Sequence, residues 1–188
     1  QALKLLQGDR EQRIQGLRIF CEYRDKRSFP FLLPLLDQPC PVERMSAVYA
    51  LGRNPCPDAV QKLVNLLEKD DNAYVRRATA WSLANYDNQI VLKPLINALK
   101  NDVASVRLWS SSSLAEIGSV SNDNAQLAAE QLLISLKIDN EPVVRSNCIW
   151  SLCRLFEKLN NIFQETFVDE CTKIALFDKE PSVMEEAK

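Results

Sequence analysis

Val75-Arg76-Arg77-Ala78-Thr79-Ala80-Trp81-Ser82-Leu83 returns as Val106-Arg107-Leu108-Trp109-Ser110-Ser111-Ser112-Ser113-Leu114, and again as Val144-Arg145-Ser146-Asn147-Cys148-Ile149-Trp150-Ser151-Leu152. Weaker copies run from Gln12-Arg13 to Phe20 and from Glu43-Arg44 to Leu51, and a truncated one begins at Val183. The arginines stand at 13, 44, 76, 107 and 145, so the spacing is 31, 32, 31 and then 38 residues. A near-constant period of this size describes stacked supersecondary units, each burying its apolar face on the next.

Apolar residues recur at helical spacing along nearly the whole chain, as in Leu63, Leu66 and Leu67 or Leu92, Leu95, Ile96 and Leu99. No stretch alternates as a strand should. The expectation is an all-α fold of helix pairs, A then B, at roughly 1–24, 28–53, 57–86, 89–118, 123–158 and 161–188, forming one domain over 1–188. Pro57 and Pro142 suit first helical turns, where a missing N–H is harmless. Pro34 and Pro94 are expected to bend their A helices.

Bulk composition narrows the function. With 46% apolar residues the chain can bury a core, and 23 Lys plus Arg against 25 Asp plus Glu leave a net charge of −2. Phosphate binding needs a basic excess, so neither a nucleic acid nor a membrane surface is an expected partner. No run of about 18 apolar residues is present to enter a bilayer. Six cysteines form no CxxC pair and lie mostly in apolar helical stretches, which points to a reducing, cytoplasmic setting. Cys148, Cys153 and Cys171 are expected to be buried, and Cys40 and Cys56, beside prolines, exposed. Asp169 and Glu170 should raise the pKa of Cys171 rather than activate it. Histidine is absent, which removes triad catalysis and His-ligated metal sites. No catalytic residue and no metal site is assigned.

Counting the valine as column zero, column eight is Leu51, Leu83, Leu114 and Leu152, and small residues such as Ala78, Ala80, Ser110 and Ser111 lie between. This is the packed face, small enough for helices to approach at 8–10 Å. Column one is the arginine. Five residues before column zero come Gln7, Gln38, Asp70, Asn101, Asp139 and Asp178. An acid capping helix B and an arginine reaching the neighbouring repeat's loop would make a structural ladder of Arg44, Asp70, Arg76, Arg107, Asp139 and Arg145. An arginine row for phosphate or carboxylate ligands is the competing reading, but it leaves the paired acid column without a purpose.

The pattern D-x4-V-R-x6-L, seen at Asp70 to Leu83 and Asp139 to Leu152, resembles HEAT repeats. The short period and the closing Leu114-Ala115-Glu116-Ile117-Gly118 are similar to the phycobilisome-lyase HEAT-like subfamily. That resemblance implies a right-handed α/α superhelix with the B helices on its concave side. It also implies a partner protein, either a phycobiliprotein or a paralogous lyase subunit. Members attach or detach bilins, act as chaperones or adaptors, or serve as plain scaffolds, so the resemblance specifies fold better than activity. It requires no cofactor, with a phycobilin as a conceivable ligand. Deoxyhypusine hydroxylase, a second HEAT-like family, holds iron through His–Glu pairs, and a chain without histidine does not fit it.

Columns two, six and ten of the B helices should face away from the packed side. They carry Ile14, Met45, Arg77, Leu108 and Ser146, then Arg18, Tyr49, Trp81, Ser112 and Trp150, then Glu22, Arg53, Asn85, Glu116 and Arg154. Trp109 sits beside them at column three. The candidate groove is therefore Arg18, Tyr49, Arg53, Arg77, Trp81, Trp109, Glu116, Trp150 and Arg154. Aromatics with arginine are the composition of a protein-binding hot spot, and they also suit a tetrapyrrole with propionates. The alternatives are rings that fill gaps between repeats, or a structural segment of a larger assembly. A scaffold binding one protein partner is the favoured expectation, with a bilin lyase subunit or chromophore chaperone next.

Overall fold

A computed structural model describes residues 1–86 and 89–188, and among these every regular element is helical. The helices gather into two compact units, residues 1–91 and residues 92–188.

In the first unit a short α1 (Ala2–Leu5) leads to α2 (Arg10–Glu22). The start of α2 is a full capping box: the Asp9 side chain accepts from the Gln12 N–H while the Gln12 side chain accepts from the Asp9 N–H. Then come α3 (Phe29–Leu32), α4 (Pro41–Arg53), α5 (Val60–Lys69) and α6 (Ala73–Leu83). The B helices α2, α4 and α6 pack side by side, and α1, the 33–37 turn and α5 lie against them. The A segment of residues 26–37 is not a single bent helix. It passes through 3-10 turns at Lys26–Ser28 and Leu33–Asp37 on either side of α3. Pro34 opens the second turn, where it supplies no N–H to continue the α-helical ladder.

The second unit holds α7 (Leu92–Asn101), α8 (Ala104–Gly118), α9 (Asn122–Ile138), α10 (Pro142–Leu155), α11 (Asn161–Phe177) and α12 (Pro181–Glu186). Here α8 packs on α10 and α10 on α12, with α7 and α9 against α8 and α9 also against α10. Pro94 falls in the first turn of α7, and the helix runs unbroken through it. The N–H that proline lacks there is one the first turn leaves unpaired anyway.

Repeat columns translate directly into burial. Column zero (Val75, Val106, Val144, Val183) and column eight (Leu51, Leu83, Leu114, Leu152) are fully enclosed. Each such side chain contributes about 1.5–3 kcal/mol of transfer free energy. Ala78, Ala80, Ser110 and Ser111 are also fully enclosed, as expected for small residues at a close helix contact. In the second unit that contact is polar as well as tight. Asn147 donates to the hydroxyls of Ser111 at 2.7 Å and Ser112 at 2.8 Å, and the Ser151 hydroxyl donates to the Ser111 carbonyl at 2.9 Å. No described helix is long and apolar enough to cross a membrane.

Candidate protein-interaction surface

The position of the arginine at column one decides what the neighbouring columns are free to do. Arg13, Arg44, Arg107 and Arg145 each turn back to a carbonyl of their own loop and forward to a carboxylate of the next repeat. Arg44 donates Nη1 to the carbonyls of Gln38 and Pro39, and its Nε and Nη2 clasp both carboxylate oxygens of Asp70 at 2.7 and 2.9 Å. Arg107 donates to the Asp102 carbonyl and clasps Asp139 with two bonds of 2.7 Å. Arg145 holds the Asp139 carbonyl at 2.9 Å and clasps Asp178 at 3.0 and 2.7 Å. Arg76 donates to the Asp70 carbonyl at 2.7 Å. Two-pronged bonds of this kind are the strong form of the ion pair.

One expectation about the acids changes. They do not cap the B helices, because they sit two residues too early. Asp70 accepts from the Asn72 N–H, Asp139 from Glu141 and Asp178 from Glu180, so each acid braces the loop in front of the helix. Asn72 itself caps α6. In the first rung the acid sits at a different position. Gln38 carries no charge, and Arg13 instead bonds Glu43 at 2.8 Å. Glu43 occupies column zero, where the later repeats bury valine, and it is itself buried. That exchange was visible in the sequence as an acid at an apolar column.

In the first unit, column six brings Tyr49 and Trp81 together, with ring centroids 5.4 Å apart and tilted by 54°. Both are half-buried. Trp81 lies over Gly52 of α4, so closely that a Cβ there would stand 2.5 Å from the ring. Glycine is the residue that lets the indole approach the neighbouring helix this closely. Arg18 and Arg53 are exposed. Arg53 donates Nε to the Cys21 carbonyl at 3.2 Å. Arg77 is half-buried, with its guanidinium 5.5 Å from the Tyr74 ring and its Nε enclosed without a hydrogen-bond partner.

In the second unit Trp150 is 40% exposed and Trp109 is 37% exposed. Arg154 lies over the Trp150 ring, 5.0 Å from its centroid, and pairs with Glu116 at 2.8 Å. These rings therefore do not fill the interior. The arginine beside Trp150 is held in place by a carboxylate.

Two residues that sequence reasoning passed over pin the first unit. Buried Asn54 donates Nδ2 to the carbonyls of Phe20 at 2.8 Å and Ala50 at 3.0 Å, and its Oδ1 accepts from the Asp25 N–H. The Tyr86 hydroxyl, just past the end of α6, donates to the Leu51 carbonyl at 3.0 Å and accepts from the Cys56 N–H. Burial pushes that phenol's pKa well up. The same contact corrects the thiol assignments. Cys56 is buried under Tyr86 rather than exposed, and Cys153 is exposed rather than buried. Cys171 is half-buried and Cys148 fully so. Burial raises Cys148, and burial followed by Cys153 and Glu170 raises Cys171 to about 11. Cys40 runs the other way. The Glu43 N–H at the start of α4 lowers its pKa, with the Val42 N–H and Arg10 (3.1 Å from the sulfur) adding to the effect. Among the described residues no three His, Cys, Asp or Glu side chains converge as a metal site.

A family model of HEAT repeats matches residues 1–84 and 60–153. No curated protein matches the chain. Among solved structures, a designed armadillo repeat protein in complex with the peptide (KR)4 is similar at 20% identity. It superimposes with a TM-score of 0.71 over 99% of this chain and 95% of that one. The complex of CpcE and CpcF of phycocyanin lyase from Nostoc sp. PCC7120 is similar at 19% identity and a TM-score of 0.70, over 80% of this chain and 96% of that one. An engineered protein matches at 20% identity and a TM-score of 0.69, over 99% and 95%. At such identities the likeness is one of fold.

Proposed function

The chain belongs to the HEAT-repeat family, and from that premise we propose that it is a protein-binding scaffold that holds its partner on the outward columns of its second helices. The carrying observation is that large rings are kept on the surface of rigid helices, with arginines beside them. Trp81 is propped by Tyr49 and Gly52, and Trp150 stands exposed beneath Arg154. Tryptophan, tyrosine and arginine are the residues in which binding energy concentrates, and pre-set rotamers reduce the entropy lost on docking. Below them the ladder arginines are occupied by loop carbonyls and carboxylates, which leaves the outward columns as the chemically available surface.

A second reading has its own support. A flat ring with a guanidinium at one face suits a tetrapyrrole and its propionates. The fold is also shared with a phycocyanin lyase complex. In that reading a phycobiliprotein is the partner, its cysteine attacks the bilin, and this chain positions the two, with Glu116 or Glu22 as proton-transfer groups. Glu116 is paired with Arg154 at 2.8 Å, which holds its carboxylate beside the Trp150 ring.

The test immobilises the wild type and the Trp81→Ala and Trp150→Ala variants, compares the polypeptides each retains, and titrates each with phycocyanobilin. Loss of a retained partner by about 2 kcal/mol or more per variant, with helicity unchanged, supports the scaffold. A saturable shift of the bilin's red band, lost in the variants, selects the chromophore reading. Retention unaffected by either substitution removes these rings from the site.

A further inference from the structure

Seven of the nine arginines in the first unit fall into two groups. Arg10, Arg13, Arg27 and Arg44 each hold a carboxylate. Arg18, Arg53 and Arg77, on the outward columns of α2, α4 and α6, hold no ion pair among the described residues. The outward columns here read Ile14, Arg18 and Glu22 on α2, Met45, Tyr49 and Arg53 on α4, and Arg77, Trp81 and Asn85 on α6. Glu22, exposed one turn beyond Arg18, is the single opposing carboxylate on them. This face is therefore positive on a chain whose net charge is −2. At its centre is the Tyr49–Trp81 pair, with Met45 half-buried on the same face.

We propose that the second-helix face of the first unit receives an extended acidic polypeptide segment, with an apolar side chain seated on Tyr49 and Trp81 and carboxylates on Arg18, Arg53 and Arg77. This rests on the scaffold reading and names the partner's chemistry. Arginine is the side chain whose planar fork suits a carboxylate, and complementary charge sets orientation and encounter rate. The geometry also sets a spacing. Packed helices stand about 8–10 Å apart. An extended chain advances about 3.3 Å per residue. Arg18, Arg53 and Arg77 stand on columns six, ten and two, so axial offsets of about 6 and 12 Å add to that step, and the carboxylates should lie about three to four and about four to five residues apart. In the second unit the corresponding arginine, Arg154, is already neutralised by Glu116, so the acidic preference belongs to the first unit.

The experiment pans a displayed library of random 12-residue peptides over the intact protein, sequences the retained pool, and measures the leading peptides by fluorescence anisotropy. The expected pool is rich in Asp and Glu around an aliphatic or aromatic residue, with acids about three to five positions apart. Affinity should fall more than tenfold in Arg18→Glu/Arg53→Glu/Arg77→Glu, and also in Arg18→Gln/Arg53→Gln, which spares the half-buried Arg77. Raising salt from 0.05 to 0.3 M should weaken binding to the wild type and have little effect on the triple variant. A retained pool that is basic or uncharged, or acidic peptides bound as tightly by both variants as by the wild type, overturns the acidic partner and leaves the scaffold reading standing. A pool with no enrichment at all overturns both. Equal competition by a single-stranded DNA 12-mer also overturns the proposal, because it would show a surface selective for any anion.

Discussion

At the scale of single residues, environment separates side chains of one type more than sequence position does. Six cysteines share a covalent structure, yet burial drives Cys21 and Cys171 to about 11, while backbone N–H groups and Arg10 draw Cys40 below the ordinary thiol value. The thiolate is the reactive form. Cys40 is therefore expected to be alkylated first by iodoacetamide near neutral pH, ahead of Cys153, which is exposed but raised by partial burial and Glu186. Peptide mapping after a short pulse checks this, and Cys153 labelling first would refute it. The sequence placed Cys56 wrongly because its burial depends on Tyr86, 30 residues away, closing over it. It placed Cys153 wrongly because an apolar stretch near the end of a helix can still turn one position to solvent.

At the scale of the element, helix boundaries were largely legible. Proline, Asx and small-residue signals act locally, and α4, α8 and α11 span 41–53, 104–118 and 161–177, as the pattern suggests. The broken segment at 26–37 was less so, because Pro34 was expected to bend a helix rather than replace one with 3-10 turns. The ladder was legible as a recurring acid and arginine, but its register was not. Whether an acid caps a helix or braces the loop before it is a matter of two residues. Its energetics can be measured. Asp70 is almost enclosed and Arg44 mostly so, so Asp70→Ala strands a guanidinium and removes a brace from Asn72. The expected loss is about 2–3 kcal/mol, somewhat below the 3–5 of a fully buried pair. Asp37→Ala, which breaks an exposed pair with Lys62, should change stability by under about 1 kcal/mol. Urea midpoints of the two variants test the contrast, and equal losses would refute it.

At the scale of the whole molecule, repeats stabilise one another through neighbours, so stability need not be uniform. In α9 eight of 17 residues are buried, whereas in α11 only Phe167 and Ile174 are, with Ile162, Leu176 and Phe177 exposed. Amide exchange should therefore be fastest among the longer helices in α11, and slow exchange there would contradict this. Acid should reach the same region. Burial alone would raise the Asp178 pKa, but Arg145 and the N–H groups of Glu180 and Lys179 hold it below the usual value. A depressed folded pKa adds stability that is complete above the unfolded value of about 3.9 and lost as pH falls through the folded one. Protection of α11 and α12 should therefore drop between pH 5 and 3 by more in the wild type than in Asp178→Asn. Equal drops would show that other carboxylates govern the acid response. The rungs also bear on ancestry. Each is assembled from an arginine of one repeat and a carboxylate of the next, and the two halves lie 26, 30, 32 or 33 residues apart. A gene encoding such a chain can gain or lose a copy by recombination between any two of these arginines and still close every joint. Copy number, and with it the length of the molecule, is thus a property that inheritance can vary without inventing a new contact.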